Sequence, residues 1–218
     1  MTTGLPKTDR LASIASDEFQ WDIDGHTESH RYLAVPVLKS LLGLRASTVL
    51  DLGSGNGALS AWLNGHNLKV TGLDHSRTGV ELARQQHPDI RFDRHDFADP
   101  LPVELVGQFD AVVSVEVIEH LPLPRKLMQN ARDALKPGGA LILTTPFHGY
   151  WKNLALALTG KFDAHWHPLR DYGHIKFFSQ ATLTQLFSES GFTDIRCATA
   201  GRIPPLACSM IMTGRKYQ

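Results

Sequence analysis

Residues 49–57 read VLDLGSGNG, an apolar strand that leads into a turn with three glycines. Glycines at the carboxyl end of a first strand let the backbone turn sharply, and they let a ligand approach without a Cβ in the way. The helix predicted over residues 58–64 would then point its amide end at that ligand. Gly53, Gly55 and Ala58 also satisfy the spacing of a dinucleotide site, and a glycine turn without a ligand is a third interpretation.

The segments around this turn alternate between strands and helices. Strand patterns cover residues 48–52, 68–73, 90–93, 109–115 and 140–145, and helix patterns cover residues 28–44, 58–64, 78–87 and 125–135. This alternation predicts right-handed βαβ units in an α/β fold, with a mostly parallel sheet and helices on both faces. After a helix at 180–190, strands at 192–198 and 206–213 share a short connection, which favours an antiparallel pair.

Acidic residues stand near the ends of the first three predicted strands. Asp51 lies two residues before the first glycine, where a carboxylate suits a cationic or amine-bearing ligand better than a pyrophosphate. Asp74 ends the second strand, where it can accept both hydroxyls of a ribose. Asp96 and Phe97 follow the third strand, and an acceptor beside an aromatic ring suits the amino group and face of adenine. These positions favour an adenosine-type ligand.

Taken together, these motifs resemble those of class I S-adenosylmethionine (SAM)-dependent methyltransferases. The resemblance is carried by VLDLGSGNG, by the acid that ends the second strand and by LKPGG at residues 135–139, and it spans roughly residues 45–145. It implies a Rossmann-like, seven-stranded, mostly parallel sheet with an antiparallel final strand. It also implies that Asp51 lies near the methionine amino group of SAM, that Asp74 holds the ribose, and that Asp96 and Phe97 hold adenine.

Residues 115–120 read VEVIEH directly after the fourth predicted strand, at the edge where ligands bind in open α/β folds. Three interpretations are open for Glu116, Glu119 and His120. The carboxylates cap a turn while the imidazole packs beneath the sheet edge, or His120 is a general base for a hydroxyl acceptor, or all three residues bind a divalent cation.

The run SVEVIEHLP at residues 114–122 is similar to the O-methyltransferases of ubiquinone biosynthesis, in which the E-x-x-E-H triplet is associated with magnesium. That resemblance implies Glu116, Glu119 and His120 as Mg²⁺ ligands, and it fades at both ends of the chain, so the family's own substrate does not carry over. The cofactor-binding residues implied by the two resemblances are Arg31, Asp51, Gly53, Ser54, Gly55, Asn56, Gly57, Asp74, His75, Asp96, Phe97 and Val115.

Residues 146–178 do not fit the alternation and are predicted to be an insertion that covers the acceptor pocket as a lid. The insertion is rich in histidine and aromatic residues, and His148 joins His120 as a catalytic candidate. His165, His167 and His174 are candidate metal ligands, although no cysteine supports a metal there, and a surface loop with capping histidines is the alternative.

Two further segments complete the predicted organisation. Residues 1–44 are predicted to be an N-terminal helical segment that covers the cofactor, and residues 45–218 the SAM-binding domain. Within residues 1–44, Trp21 belongs to a stretch at 19–30 that either folds over the cofactor or forms a flexible arm. Residues 150–159 are apolar enough to rest on a membrane surface, but they lack the basic face that such helices carry.

Composition narrows the classes of function. Lys plus Arg and Asp plus Glu number 22 each, so no general attraction to nucleic acid is expected. The start of the chain has no apolar leader, and no run of about 18 apolar residues occurs, so a cytoplasmic protein is expected. We therefore expect a SAM-dependent methyltransferase that acts on a small-molecule acceptor, at oxygen, with metal assistance as an option. The alternatives are an NAD(P)-dependent oxidoreductase, a methyltransferase acting on nitrogen, carbon or a macromolecule, and a non-catalytic SAM-binding protein.

Overall fold

The computed structural model describes residues 21, 25–166 and 169–217 of the chain. These residues form a seven-stranded sheet in the order β3-β2-β1-β4-β5-β7-β6. Its strands are β1 (Thr48–Leu52), β2 (Lys69–Asp74), β3 (Arg91–Arg94), β4 (Phe109–Val115), β5 (Leu135–Pro146), β6 (Phe192–Ala200) and β7 (Ser209–Lys216). Strands β1 to β5 pair in parallel, and β7 runs antiparallel between β5 and β6. The predicted α/β, mostly parallel fold is confirmed.

Helices cover both faces of this sheet. They are α1 (His30–Gly43), α2 (Ala58–Asn64), α3 (Arg77–Gln86), α4 (Pro124–Ala134), α5 (Tyr150–Thr159), α6 (Phe162–Trp166) and α7 (Gln180–Glu189). Residues Leu127 of α4 and Leu183 of α7 pack in the core on one face, and Leu33 of α1 and Leu59 of α2 pack in a second core on the other. Because β4 is covered on both faces, its sequence is an almost unbroken apolar run.

Two strands begin more than one residue away from the predicted start. Strand β7 begins at Ser209 instead of residue 206, because Pro204–Leu206 forms a single 3-10 turn. Proline has no N–H for a sheet ladder and its φ suits such a turn. Strand β5 begins at Leu135 instead of residue 140, because Leu135 already pairs with Phe109 before the register shifts and regular pairing resumes at Ala140.

The strand order reverses between β1 and β4, and this reversal positions the site. Strand β1 pairs with β2 on one side and with β4 on the other, so successive crossovers leave β1 in opposite directions. A crevice therefore opens beyond the carboxyl ends of these two strands, where open α/β sheets bind their ligands. The glycine turn follows β1, and the residues of VEVIEH follow β4.

Helices α5 and α6 stand outside the alternation of strands and helices and lie within residues 146–178. Helix α5 has no buried residue and lies against the 3-10 turn at Pro204–Leu206. The chain then returns to the sheet edge and enters α7 through a capping box at Ser179. None of the helices in the described part of the chain has the length and apolarity needed to cross a membrane.

Candidate functional site

The turn after β1 has a backbone conformation that requires glycine. The φ angles of Gly53 and Gly55 are +92° and +52°, in the left-handed region that side chains disfavour. The N–H groups of Gly53 and Ser54 both donate to the carbonyl of Leu73, at 2.8 and 3.1 Å, which fastens the turn to the end of β2. A Cβ added to Gly53 would overlap the side chain of Val117. The turn after β1 and the segment after β4 are therefore in direct contact.

Asp74 lies beside this turn with both carboxylate oxygens bound to backbone. Its Oδ2 accepts the N–H of Gly55 at 2.7 Å, and its Oδ1 accepts the N–H of Ser76 at 2.7 Å. Ser76 in turn caps α3 by accepting the N–H of Gly79. These two hydrogen bonds fix the carboxylate at the edge of the turn, and its contact with the ribose of SAM stays a prediction.

Asp51 is turned away from solvent, with 1% of its surface exposed. Its Oδ2 accepts the hydroxyl of Ser60 at 2.6 Å, which joins β1 to α2. Burial and the nearby charge of Asp74 together raise the pKa of Asp51 to about 7, against the lowering effect of the hydrogen bond from Ser60. The carboxyl group therefore has a partner within the protein, and its contact with the amino group of SAM stays a prediction.

Asn56 and Gly57 complete the turn. The side chain of Asn56 is fully buried, and its Nδ2 donates to the carbonyl of Gly25 at 2.9 Å, so this predicted cofactor contact is directed into the protein. Gly57 has a φ of +79° and begins α2. A Cβ there would come within 2.8 Å of Ala83 and Phe92, so the third glycine lets α2 and α3 approach each other.

Trp21 packs against the glycine turn. A Cβ added to Gly55 would overlap the indole, and a Cβ added to Gly79 would lie 2.9 Å from it. The backbone N–H of Trp21 donates to Thr78 Oγ1 at 2.9 Å. At Trp21 and Gly25 the N-terminal segment therefore lies on the predicted cofactor loop, while residues 1–20 and 22–24 of the predicted cover lie outside the described residues.

The adenine contacts divide into one exposed and one buried side chain. Asp96 is half exposed, with Oδ2 3.9 Å from His75 Nδ1 and Oδ1 accepting the N–H of Ala98 at 2.9 Å. The ring of Phe97 is 5% exposed and belongs to the same core cluster as Leu101. Phe97 therefore packs in the core and has no exposed ring face for adenine. The predicted contact between Phe97 and adenine does not fit this position.

Arg31 and Val115 lie on the elements predicted for them. Arg31 is exposed in the first turn of α1. Val115 is buried as the last residue of β4, so only its backbone can meet a ligand. Their contacts with SAM stay predictions.

Glu116 turns towards β5 and β7 instead of towards Glu119. Its Oε1 accepts the hydroxyl of Thr144 at 2.9 Å, and its Oε2 accepts the hydroxyl of Ser209 at 3.2 Å. Ser209 also contacts the hydroxyl of Tyr32, at 3.1 Å, so α1 joins this network. Burial raises the pKa of Glu116 to about 7, against the lowering effect of these two hydrogen bonds and of Lys152.

Glu119 and His120 instead converge with His174, which comes from the insertion. One ligand atom of each of these three residues lies within 4.8 Å of the others. The side chain of Glu119 is fully buried, and its Oε2 accepts the hydroxyl of Thr145 at 3.0 Å. Its Oε1 lies 3.9 Å from His174 Nε2 and has no hydrogen-bond partner among the described residues.

The predicted magnesium set does not fit this geometry. Glu116 lies outside the cluster of Glu119, His120 and His174, because hydrogen bonds from Thr144 and Ser209 hold both of its carboxylate oxygens. Magnesium also favours oxygen ligands and near-octahedral geometry, whereas two of the three convergent donors are imidazole nitrogens. We therefore assign no magnesium to Glu116, Glu119 and His120.

Aromatic rings of the insertion lie over His148. Its ring stacks on Trp166 with centroids 4.9 Å apart and an interplanar angle of 12°, and Phe177 packs edge-on against both. Burial, together with the nearby charges of Lys152, His165 and His174, lowers the pKa of His148 to about 4. His167, the middle residue of the predicted His165, His167 and His174 set, lies outside the described residues.

Sequence reasoning missed the hydroxyl groups that hold the two glutamates. Thr144 and Thr145 end β5, which neighbours β4, so their position at the same sheet edge was a signal that went unused. Ser209 and Tyr32 come from distant parts of the chain, and no local pattern marks them. His174 was predicted as a candidate ligand within the insertion, but its association with Glu119 and His120 was not predicted.

The chain is similar to known methyltransferases in sequence. The profile of a family described as "Methyltransferase domain" matches residues 26–196. A ubiquinone biosynthesis O-methyltransferase of Coxiella burnetii is 28% identical over 158 residues, which cover 71% of this chain and 66% of that protein. The enzyme of the same name from Dinoroseobacter shibae is 30% identical over 162 residues, covering 72% of this chain and 64% of its own length. The match therefore spans slightly less than two thirds of either relative.

Solved structures share the fold. A magnesium protoporphyrin IX methyltransferase from Synechocystis PCC 6803, solved with bound SAH, superposes with a TM-score of 0.65 at 20% identity, covering 96% of this chain and 94% of that one. A SAM-dependent methyltransferase from Mesorhizobium loti gives a TM-score of 0.64 at 22% identity, with coverages of 83% and 96%. With its family profile, its strand order and its glycine turn, the chain belongs to the class I SAM-dependent methyltransferases.

Proposed function

We propose that this protein transfers the methyl group of SAM to an oxygen atom of a small-molecule acceptor. The observation that carries the proposal is the position and pKa of Glu116. This carboxyl group follows β4, one residue before the Val117 side chain that touches the glycine turn, and its pKa is about 7. The relatives named as O-methyltransferases support oxygen as the acceptor atom.

The reaction needs alignment and a proton acceptor. The methyl carbon of a sulfonium is already activated, so a bond forms between it and the acceptor oxygen as the carbon–sulfur bond breaks. The sulfur leaves as a neutral thioether, and the hydroxyl proton passes to a base. A base is most effective when its pKa lies near the working pH. The turn after β1 and Asp74 are placed to align the donor.

Three side chains compete for the role of base. Burial lowers the pKa of His148 to about 4, which makes this imidazole a weak proton acceptor at neutral pH. Burial also lowers the pKa of His120, whose Nδ1 already donates to the carbonyl of Tyr172 at 2.8 Å. Glu116, with a pKa of about 7, matches neutral conditions best. We therefore propose Glu116 as the base, in place of the predicted His120 and His148.

The aromatic side chains of the insertion support an acceptor that is flat and largely apolar and that carries a hydroxyl group. The rings of His148, Trp166 and Phe177 lie together and provide apolar faces on which another ring can stack. The balanced charge of the chain supports a small molecule over a nucleic acid. Phenols and catechols are the acceptor class that this combination favours.

The remaining alternatives have less support. Family membership argues against the NAD(P)-dependent oxidoreductase, which shares only the glycine turn. Oxygen is favoured over nitrogen, carbon or a macromolecule as the acceptor because the relatives of this chain are named O-methyltransferases. Metal assistance by magnesium is not part of the proposal, because Glu116 lies outside the cluster formed by Glu119, His120 and His174.

Turnover of isotope-labelled SAM against matched acceptors tests this function. Each phenol or catechol is paired with the aniline and thiophenol of the same skeleton, and we expect methylation of the oxygen compounds. Activity should increase as the pH rises through about 7, because the deprotonated carboxylate is the active form. Glu116→Gln should lower activity by about 100-fold or more and remove this dependence.

Glu104→Gln is the matched control, because Glu104 is an exposed glutamate paired with Arg91, whereas Glu116 is bound by Thr144 and Ser209. It should leave turnover and its pH dependence unchanged. Methylation of the anilines alone would overturn the assignment to oxygen. An unaltered pH profile in Glu116→Gln would overturn the assignment of the base.

A further inference from the structure

We propose that Glu119, His120 and His174 bind a divalent transition-metal cation of the zinc type. This set differs from the magnesium set implied by resemblance, because it omits Glu116 and recruits a histidine from the insertion. It does not depend on the identity of the methyl acceptor. The argument rests on convergence of the donors, an unpartnered buried oxygen, and the contacts that orient each ligand.

The donors already converge without rearrangement of the fold. One ligand atom from each residue lies within 4.8 Å of the other two. These distances need to shorten only modestly for all three atoms to bind one central ion. Glu119 Oε1 is buried and has no hydrogen-bond partner in the described part of the chain. A buried carboxylate oxygen without a partner is costly, and a bound cation would satisfy it.

The hydrogen bonds of His120 direct its free lone pair. Its Nδ1 lies 2.8 Å from the carbonyl oxygen of Tyr172 and 3.2 Å from that of Gly173. Carbonyl oxygens only accept hydrogen bonds, so Nδ1 carries the proton and Nε2 has the available lone pair. Metal-binding histidines characteristically donate their other N–H to a carbonyl or carboxylate in this way. In this arrangement His120 is a ligand, which leaves Glu116 as the base.

The same contacts fix His174. The carbonyl of Glu119 accepts the N–H groups of Ile175 and Lys176, at 2.9 and 3.0 Å. The two residues before His174 therefore bind His120 through their carbonyl groups. The two residues after it bind the carbonyl of Glu119 through their N–H groups. The second oxygen of Glu119 is held by Thr145 Oγ1. The insertion and the segment after β4 thus form a site whose three ligands are oriented before metal binds.

The donor types select the metal. Two imidazoles and one carboxylate suit zinc and neighbouring first-row dications, which accept nitrogen ligands, whereas magnesium prefers oxygen. Three protein ligands also leave a coordination position for water or another oxygen donor. The competing explanation is an ion pair between Glu119 and a protonated His174, whose closest atoms are 3.9 Å apart. An ion pair would not require the lone pair of His120.

Metal titration of the whole chain decides between these explanations. Protein stripped with a chelator and desalted is titrated with Co²⁺, whose visible d–d absorption reports coordination, and Zn²⁺ is then added as a competitor. We expect a single Co²⁺ per chain, displaced by Zn²⁺ but not by a large excess of Mg²⁺. Absence of a Co²⁺ spectrum in the wild-type protein, or its displacement by Mg²⁺, would overturn the proposal.

Variants locate the binding site. His174→Ala and Glu119→Gln should each weaken Co²⁺ binding by more than about 10-fold. His165→Ala is the control, because His165 lies in the same insertion but outside the cluster, and it should bind Co²⁺ as the wild type does. His174 is partly exposed, so its variant is expected to fold, and near-ultraviolet circular dichroism checks this. Unchanged affinity in a folded His174→Ala would refute the site.

Discussion

The ribose role of Asp74 makes a quantitative prediction for SAM binding. Asp74→Ala removes an acceptor that two backbone N–H groups hold at the edge of the glycine turn, each at 2.7 Å. If the carboxylate also accepts both ribose hydroxyls, the variant loses two hydrogen bonds worth about 0.5–1.5 kcal/mol each. The sum is about 1–3 kcal/mol, which corresponds to roughly a 5- to 150-fold weaker Kd for SAM.

Isothermal titration with SAM and with its demethylated product measures this change. Both ligands carry the ribose, so both should weaken by the same factor. Asp93→Ala is the control, because the carboxylate of Asp93 pairs with Arg84 of α3 and Arg91 of β3. Asp74→Asn keeps one acceptor oxygen and should give an intermediate Kd. Wild-type affinity in Asp74→Ala would refute the ribose assignment, whereas equal weakening in Asp93→Ala would indicate a general effect of removing charge.

The other predictions concern stability, the N-terminal segment and membranes. The pKa of Asp51 rises from 3.8 to about 7 on folding, so the folded state binds more protons and stability should fall as the pH rises between those values. Asp51→Asn should reduce this pH-dependent loss of the free energy of unfolding by on the order of 4 kcal/mol at most. Urea titrations at several pH values measure the difference. Gly55→Ala should lower the melting temperature, because the added methyl group overlaps the indole of Trp21. Adding Trp21→Ala should recover part of that lost stability in thermal melts, and strictly additive effects of the two substitutions would contradict the contact. Helix α5 exposes Tyr150, Trp151 and Leu158 but lacks a basic face. We therefore expect no co-sedimentation of the protein with neutral or anionic liposomes. Co-sedimentation would show that this surface binds lipid.

Much of the fold was predictable because its signals are local. Apolar runs of strand length, helix-length segments between them and the glycines at 53–57 each reflect neighbours within a few residues. Strands β1 and β4 match the predicted bounds residue for residue. Position within a parallel sheet then places Asp74 and residues 116–120 at one edge, because every β-strand of a βαβ unit points its carboxyl end the same way.

Side-chain direction was less predictable because it depends on packing between distant elements. The ring of Phe97 follows β3 but enters the core, and the amide of Asn56 leaves the predicted ligand side to meet Gly25. Glu116 binds Thr144 and Ser209, the second of which is 93 residues away. No window of sequence around these residues contains the partner that decides their orientation.

The candidate metal cluster shows this division most clearly. The spacing of VEVIEH, by itself, determined that carboxylates and an imidazole follow β4 at the crevice. Only tertiary structure decided which of them act together, because the carbonyls of Tyr172 and Gly173 return more than fifty residues later to bind His120 and bring His174 to Glu119. Local sequence determines which groups each strand presents at its end, whereas the long-range packing of the insertion determines which of those groups meet.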